Sequence, residues 1–180
     1  MLFDAAAGLL LSADALWENG FGVVFPELVG ESGFAEVGAT LDLIASLPVR
    51  LVVPGHGAPF ADVAAALARA RSRLAGWRAD PARHARHAAR VLVKYHVMEE
   101  RQLPLAELVR WAAAAPLMRR VWAGFGAGGE AGRVAGPDPG RGGAGTTPLP
   151  ATLEAWIEGF VHELAGSGAL AIEGADVVDR

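Results

Sequence analysis

The chain contains no cysteine and a single lysine, Lys94, and these scarcities exclude several kinds of chemistry. Without cysteine it can form neither a disulfide nor a thiolate zinc site, and it has no cysteine nucleophile. Any metal must therefore be held by histidine and carboxylate side chains. Arginine supplies the rest of the sixteen basic residues. Together with the excess of alanine and glycine, this indicates base-composition bias in the gene rather than an arginine-dependent function.

Excess positive charge and long apolar runs are also absent. The formal net charge is −4, whereas nucleic-acid binders usually carry a basic excess, so nucleic acid is not expected as a partner. No apolar stretch approaches the roughly 20 residues needed to cross a bilayer, so no membrane partner is expected either. Residues 8–11 are apolar like the core of a signal peptide, but Asp4 stands where basic residues belong. The expected location is therefore the cytoplasm.

Residues 1–77 predict half of a layered α/β domain, in the order β-β-loop-α-β-α. Residues 1–7 and 8–13 are predicted strands, and residues 50–53 a strand buried on both faces by its unbroken apolar pattern. Ser32 is the predicted N-cap of the first helix and Asp62 marks the start of the second. Both helices keep an apolar stripe at helical spacing.

Residues 78–180 predict a small helical subdomain, for which a winged helix is one arrangement. Helices are expected after Pro81, Pro104, Pro116 and Pro150, with a short closing strand over residues 170–172. In the first helix the predicted inward residues are Ala88, Val91, Leu92, Tyr95 and Met98. Residues 124–150 are rich in glycine and proline and predict a flexible loop.

Asp14 and His56 are the residues best placed to carry chemistry. Each follows an apolar strand and enters a loop that contains glycine. If both strands lie in one sheet, both side chains emerge at the same edge, where α/β active sites gather. A carboxylate and an imidazole suit zinc or another borderline divalent ion. The alternative is that Asp14 caps a turn and His56 is solvated.

Two segments, residues 12–20 (SADALWENG) and 53–57 (VPGHG), together resemble the second half of a metallo-β-lactamase-fold hydrolase. They are most similar to the glyoxalase II-like members of that superfamily. The resemblance covers residues 1–77, and residues 78–180 resemble the C-terminal extension of some members. It implies an αββα sandwich with two zinc ions. It also implies that Asp14 bridges the ions and that His56 is a ligand of the second.

The same family pattern has a His-x-His-x-Asp-His signature, which this chain lacks. The other four histidines, His84, His87, His96 and His162, all lie in the helical tail. The resemblance therefore implies a truncated gene, a start assigned too late, or a partner that supplies the rest. For the intact protein it implies a metal-bound hydroxide that attacks an ester, thioester or related bond of a small-molecule substrate. In this chain alone, weak zinc binding and little or no catalysis are expected.

Several other residues have two interpretations each. Asp62 either orients His56 or, as we favour, simply caps a helix. His84 and His87 share a helical face, but Arg83, Arg86 and Arg90 would repel a cation, so a solvated basic face is favoured over a metal site. Trp17 and Phe21 either line a substrate pocket or cover the sheet edge.

Two further hypotheses compete with the hydrolase. The chain could be an inactive fragment that pairs through its exposed sheet edge, as a homodimer or with another chain. It could instead be a winged-helix nucleic-acid binder whose arginines, Arg101 included, contact phosphates. The acidic residues Glu99, Glu100 and Glu107 stand against that interpretation.

Overall fold

The protein divides between Pro81 and Ala82 into two compact units, unit 1 before this point and unit 2 after it. Its structure, a computed structural model, describes residues 1–125 and 152–180. Each unit combines helices with a three-stranded sheet, so the predicted mixed α/β class is confirmed. Within the described ranges, no helix is both long enough and apolar enough to span a bilayer.

Unit 1 is built around a sheet with the strand order β1-β2-β3. Its elements are β1 (Leu2–Asp4), β2 (Leu9–Ala13), a short 3-10 helix (Phe25–Val29), α1 (Phe34–Ser46), β3 (Leu51–Pro54) and α2 (Val63–Ala79). Strands β1 and β2 form an antiparallel hairpin, whereas β2 and β3 are parallel. Helix α1 connects the two parallel strands, as a parallel pair requires.

The sheet of unit 1 is covered on one face only within the described residues. Leu10 and Val52 are fully buried in one cluster with residues of α1 and α2. The neighbouring Leu11 and Leu51 point to the opposite face and are 43% and 40% exposed. The prediction that residues 50–53 are buried on both faces is therefore wrong, because helices cover just one side of β3.

The ends of the two helices of unit 1 are capped differently. The predicted N-cap of α1 at Ser32 is wrong: the carboxylate of Glu27 accepts the backbone N–H groups of Gly33 (3.0 Å) and Phe34 (2.8 Å). Helix α2 starts as predicted, with the Asp62 carboxylate accepting the N–H of Ala65 at 3.1 Å. The side chain of Glu27, six and seven residues before the N–H groups that it accepts, thus takes the place of an N-cap side chain.

Unit 2 surrounds a second sheet with the strand order β4-β6-β5, in which all pairs are antiparallel. Its elements are α3 (Pro81–Glu100), β4 (Gln102–Pro104), α4 (Leu105–Ala114), α5 (Pro116–Phe125), α6 (Leu153–Gly166), β5 (Leu170–Glu173) and β6 (Asp176–Asp179). Helices follow Pro104 and Pro116 as expected, but β4 and β6 are strands that the sequence did not predict. Gly124 and Phe125 belong to α5, and the rest of the predicted 124–150 loop lies outside the described residues.

The inward face of α3 agrees with the predicted one only in part, because Ala88 is fully buried as predicted but Val91 and Leu92 are partly exposed. Tyr95 and Met98 are 46% and 45% exposed. The helix instead buries mostly small side chains, which allow close packing: His84, Ala85, Ala88, Ala89, Val93 and Val97. The expectation that His84 is solvated is also wrong, because that side chain is 1% exposed.

Candidate metal site

The structure brings Asp14 and His56 together at one edge of the unit 1 sheet. Asp14 directly follows β2, and His56 lies two residues beyond the end of β3. Because these strands are parallel neighbours, their carboxyl ends meet at the same edge. His56 Nε2 lies 3.7 Å from Asp14 Oδ1, and the two side chains are 61% and 64% exposed. The pair is thus accessible to a ligand from solvent.

A tight turn after β2 holds Asp14 in position. The buried Ser12 donates its hydroxyl to the carbonyl of Leu16 at 2.6 Å, and its own carbonyl accepts the N–H of Ala15 at 3.0 Å. Ala13 adopts the left-handed conformation with a φ of 49°, which non-glycine residues rarely do. The Ser-Ala-Asp sequence therefore forms a local turn that projects the carboxylate away from the strand.

Two glycines pack so closely against Asp14 that a side chain at either position would force a neighbouring atom to move. A Cβ at Gly55 would lie 3.0 Å from Asp14 Oδ1, and one at Gly22 would lie 2.9 Å from Asp14 Cβ. Gly55 also donates its N–H to the carbonyl of Ala13 at 2.9 Å, which ties the His56 loop to the Asp14 turn. The glycine beside the histidine thus has a specific steric role.

The aromatic residues of the loop after Asp14 have separate roles. The Trp17 ring meets His56 edge-on, with 5.0 Å between the ring centroids, and its indole N–H donates to the carbonyl of Ala13 at 3.1 Å. Phe21 is instead 2% exposed and packs against Trp77 in the core. Trp17 therefore contacts His56, whereas Phe21 belongs to the core of unit 1.

A pocket of about 290 Å³ opens beside Asp14. Its walls come from the loop after Asp14, the segment that precedes α1, and the first turns of α1: Asp14, Ala15, Phe21, Gly22, Val23, Val24, Pro26, Ser32, Gly33, Glu36, Val37 and Thr40. Most of these residues are apolar. Phe21 was one of the two residues that the sequence suggested for a pocket. The rest of the pocket had no signal in the sequence, because its walls come together only when α1 packs beside the loop.

The other sequence candidates lie apart from the pair or have structural roles. Asp62 caps α2. Arg86 and Arg90 lie beside the Glu163 carboxylate, and Arg101 pairs with Asp179 at 2.7 Å. Most of the arginines that the nucleic-acid hypothesis required therefore face a carboxylate within unit 2.

Asp14 and His56 have no third imidazole or carboxylate close enough to share an ion, as far as residues 1–125 and 152–180 show. The group of three that these ranges contain consists of His96, Glu99 and Glu100, all in unit 2. Zinc takes three or four ligands, so the Asp14–His56 pair offers half of a site.

Comparisons with known proteins identify no relative of this chain. No protein-family model, curated protein or solved structure matches the chain.

Proposed function

We propose that this chain carries part of the metal site of a metallo-β-lactamase-fold hydrolase, with Asp14 and His56 as zinc ligands. The 3.7 Å separation of Asp14 Oδ1 and His56 Nε2, at the carboxyl edge of two parallel strands, is the observation that supports it. Two ligand atoms on one tetrahedral zinc ion lie about 3.4 Å apart, given bond lengths of about 2.0–2.2 Å. A small rotation of either exposed side chain would shorten the observed 3.7 Å to this distance.

The chain's own residues would fix the two ligands and shape the substrate site. The Ser12 turn and Gly55 set the direction of the Asp14 carboxylate, while the Trp17 ring limits the rotation of His56. When bound, the metal would supply a Lewis acid that polarises the scissile bond and activates water. The largely apolar pocket beside Asp14 would accept the non-reacting part of an ester or thioester.

Zinc binding tests the two ligands directly. In a zinc titration followed by NMR of the imidazole resonances, we expect the His56 signals to respond. Asp14→Asn should weaken that response by about tenfold or more, because one of the two ligands loses its charge.

Asp62→Asn is the matched control, because asparagine also caps helices and Asp62 lies close to His56 in sequence. It should leave the His56 response unchanged. A His56 resonance that ignores zinc, or responds equally in the Asp14→Asn variant, would contradict the proposed ligand pair.

The hydrolase itself is tested by the DNA upstream of the Met1 codon. An in-frame His-x-His-x-Asp-His would supply the remaining ligands and support the proposal. If that sequence is missing and His56 does not respond to zinc, the proposal fails.

The open face of the unit 1 sheet supports a second candidate function, association with another protein chain. Leu2 pairs with Leu11, Leu11 with Val53, and Leu9 with Leu51. These side chains therefore share one face, on which Leu2 is 72% exposed. Asp4, which pairs with Leu9 and is exposed, adds one carboxylate to this otherwise apolar face. Apolar surfaces are typical of contacts with other chains. A homodimer through this face, or through the adjoining edge of β1, is the simplest form.

Sedimentation velocity tests this association. Leu2→Asn with Leu11→Asn should shift any dimer toward monomer at a given concentration, because both side chains lie on the open face. Leu43→Asn, which alters an exposed leucine on α1, should not. A chain that is monomeric at high micromolar concentration would argue against self-association.

The third hypothesis, nucleic-acid binding, is supported by topology but not by charge. In unit 2, β4 lies between α3 and α4, and the β5–β6 hairpin follows α6. These three strands form one sheet, which is the arrangement of a winged helix. The exposed face of α6, the helix before the hairpin, carries Glu154, Glu158 and Glu163, and the hairpin carries Glu173 and Asp176. Carboxylates at the positions that meet DNA in such domains would repel phosphates.

A further inference from the structure

We infer that unit 2 contains a divalent metal site of its own, formed by His96, Glu99 and Glu100 at the C-terminal end of α3. One ligand atom from each of these three residues lies within 4.8 Å of the other two. Their i, i+3, i+4 spacing places them on one face of the helix. The inference is independent of the proposed hydrolase function, because it concerns a different unit.

His96 has the features of a prepared ligand. Its side chain is 10% exposed, and its Nδ1 atom is buried without a hydrogen-bond partner. This atom faces Glu99, with 3.7 Å between Nδ1 and Oε2. A buried ring nitrogen without a partner is costly, and a bound cation would remove that cost.

Trp111 fixes the plane of the His96 ring. The two rings stack with 3.6 Å between their centroids and an angle of 6°. Trp111 belongs to α4, so the ring orientation is held by a second element of unit 2 rather than by α3 alone. A ligand held in one orientation loses little entropy when a metal binds.

The carboxylates of Glu99 and Glu100 lie at the C-terminal end of α3, where the helix dipole favours a cation. The C-terminal end of a helix carries partial negative charge, which makes glutamate unfavourable there. The last turn of α3 has no basic residue. The basic residues that flank this turn in sequence, Lys94 and Arg101, both pair with Asp179. A divalent ion would offset the charge of both glutamates.

The ligand set indicates which ion would bind. One imidazole and two carboxylates suit zinc or a similar borderline ion better than a soft one, and water would complete the coordination. The competing interpretation is a plain ion pair between a protonated His96 and Glu99. The two differ in that only the metal site requires Glu100.

Zinc titration of the full chain by calorimetry tests the inference. The background is an Asp14→Asn, His56→Gln variant, which removes the candidate site of unit 1. We expect about one zinc ion per chain to bind this background. His96→Phe, which keeps a ring against Trp111, should weaken binding by about tenfold or more, as should Glu99→Gln combined with Glu100→Gln. The exposed glutamates should be replaceable without unfolding.

Matched controls come from α6. His162→Phe, and Glu154→Gln combined with Glu158→Gln, change the same residue types at exposed positions and should leave zinc affinity unchanged. Quenching of Trp111 fluorescence by cobalt, absent in Trp111→Phe, would locate the ion. A background that binds no zinc, or unchanged affinity in both the His96 and the glutamate variants, would overturn the inference. Full zinc binding by Glu100→Gln alone would also overturn it.

Discussion

Both units expose one face of a three-stranded sheet, but the two open faces differ in chemistry. In unit 1 the open face carries Leu2, Leu9, Leu11, Leu51 and Val53, together with the exposed Asp4. In unit 2 the open face is mixed: Gln102, Asp176 and Glu173 lie beside Pro104, Val178 and Ala171, and Gln102 donates to Asp176 at 2.6 Å. A polar open face needs no partner, whereas an apolar one gains stability when another surface covers it. The largely apolar face of unit 1 would therefore gain more from a covering partner than the mixed face of unit 2.

The arrangement of potential metal ligands also differs between unit 1 and unit 2. In unit 1, two potential ligands stand exposed at a sheet edge beside the apolar face. In unit 2, three potential ligands stand on one helix, and the histidine among them is buried and stacked. The exposed pair is thus found in the unit with the largely apolar open face, and the group that contains a buried histidine is found in the other unit.

The largest expected effect separates the two faces of the unit 1 sheet. Leu10 is fully buried and Leu11 is its neighbour on the open face. Leu10→Ala should lower the free energy of unfolding of unit 1 by about 2–5 kcal/mol, and Leu11→Ala by less than about 1 kcal/mol. Urea unfolding followed by hydrogen exchange at the β2 and β3 amides measures both. Equal losses would mean that the open face is covered in solution.

A smaller effect is expected at the glycine that contacts the carboxylate. Gly55→Ala places a Cβ 3.0 Å from Asp14 Oδ1 and 3.1 Å from the Ala13 carbonyl carbon. We expect a loss of about 1–3 kcal/mol in the stability of unit 1. The control is Gly76→Ala within α2, where a Cβ meets nothing within 4 Å. It should raise stability by about 0.5–1 kcal/mol, so thermal melts should move in opposite directions.

Helix caps allow a direct comparison between the units. Asp62 caps α2 in unit 1 and Thr152 caps α6 in unit 2, each accepting an N–H from the residue three positions later. Asp62→Ala and Thr152→Ala should each cost about 1 kcal/mol, and Asp62→Asn almost nothing. Hydrogen exchange in α2 and α6 assigns each loss to its unit. A loss that appears in both helices for either variant would show that the units unfold together.

The smallest effect concerns the paired carboxylate of unit 2. The hydrogen bond from Lys94 lowers the pKa of Asp179 below its ordinary value of 3.8, and the charges of Lys94 and Arg101 add to this shift. A lowered pKa in the folded state contributes stability above the ordinary value that is lost as the pH falls through the folded pKa.

Arg101→Gln should therefore cause a stability loss smaller than that of the cap variants, present at pH 7 and diminishing below about pH 4. The Arg101 side chain is 76% exposed, so solvent screens the charge that is removed. Thermal melts of both proteins from pH 2 to pH 7 measure the difference. A difference that stays constant down to pH 2 would mean that Asp179 does not titrate as described.

Much of the order of helices and strands along the chain was predictable, because residues within or next to each element indicate it. Helices start at Pro81 and Pro116 and directly after Pro104, and the Asp62 cap lies where predicted. The order of strands and helices along unit 1 was also predictable. By contrast β4 and β6, of three and four residues, were missed, since such short strands are defined by their pairing rather than by their own sequence.

The candidate site was predictable only in part. Asp14 and His56 could be chosen because each follows an apolar strand and lies near glycine. The pocket beside Asp14 and the stacking of His96 on Trp111 could not, because residues far apart in sequence form them. The buried face of α3 was misjudged for a related reason: a helix rich in alanine carries no strong stripe of large side chains.

The sequence by itself determined the absence of thiolate chemistry, the mixed α/β class, the helix starts at proline and the choice of Asp14 and His56. These depend on residue identity and on neighbours a few positions away. Only the tertiary structure decided that the two strands lie side by side and parallel, so that 3.7 Å separates Asp14 Oδ1 from His56 Nε2. It also decided which sheet face is covered. Contacts between distant segments decide both features, because burial and distance belong to the packed chain rather than to any one segment.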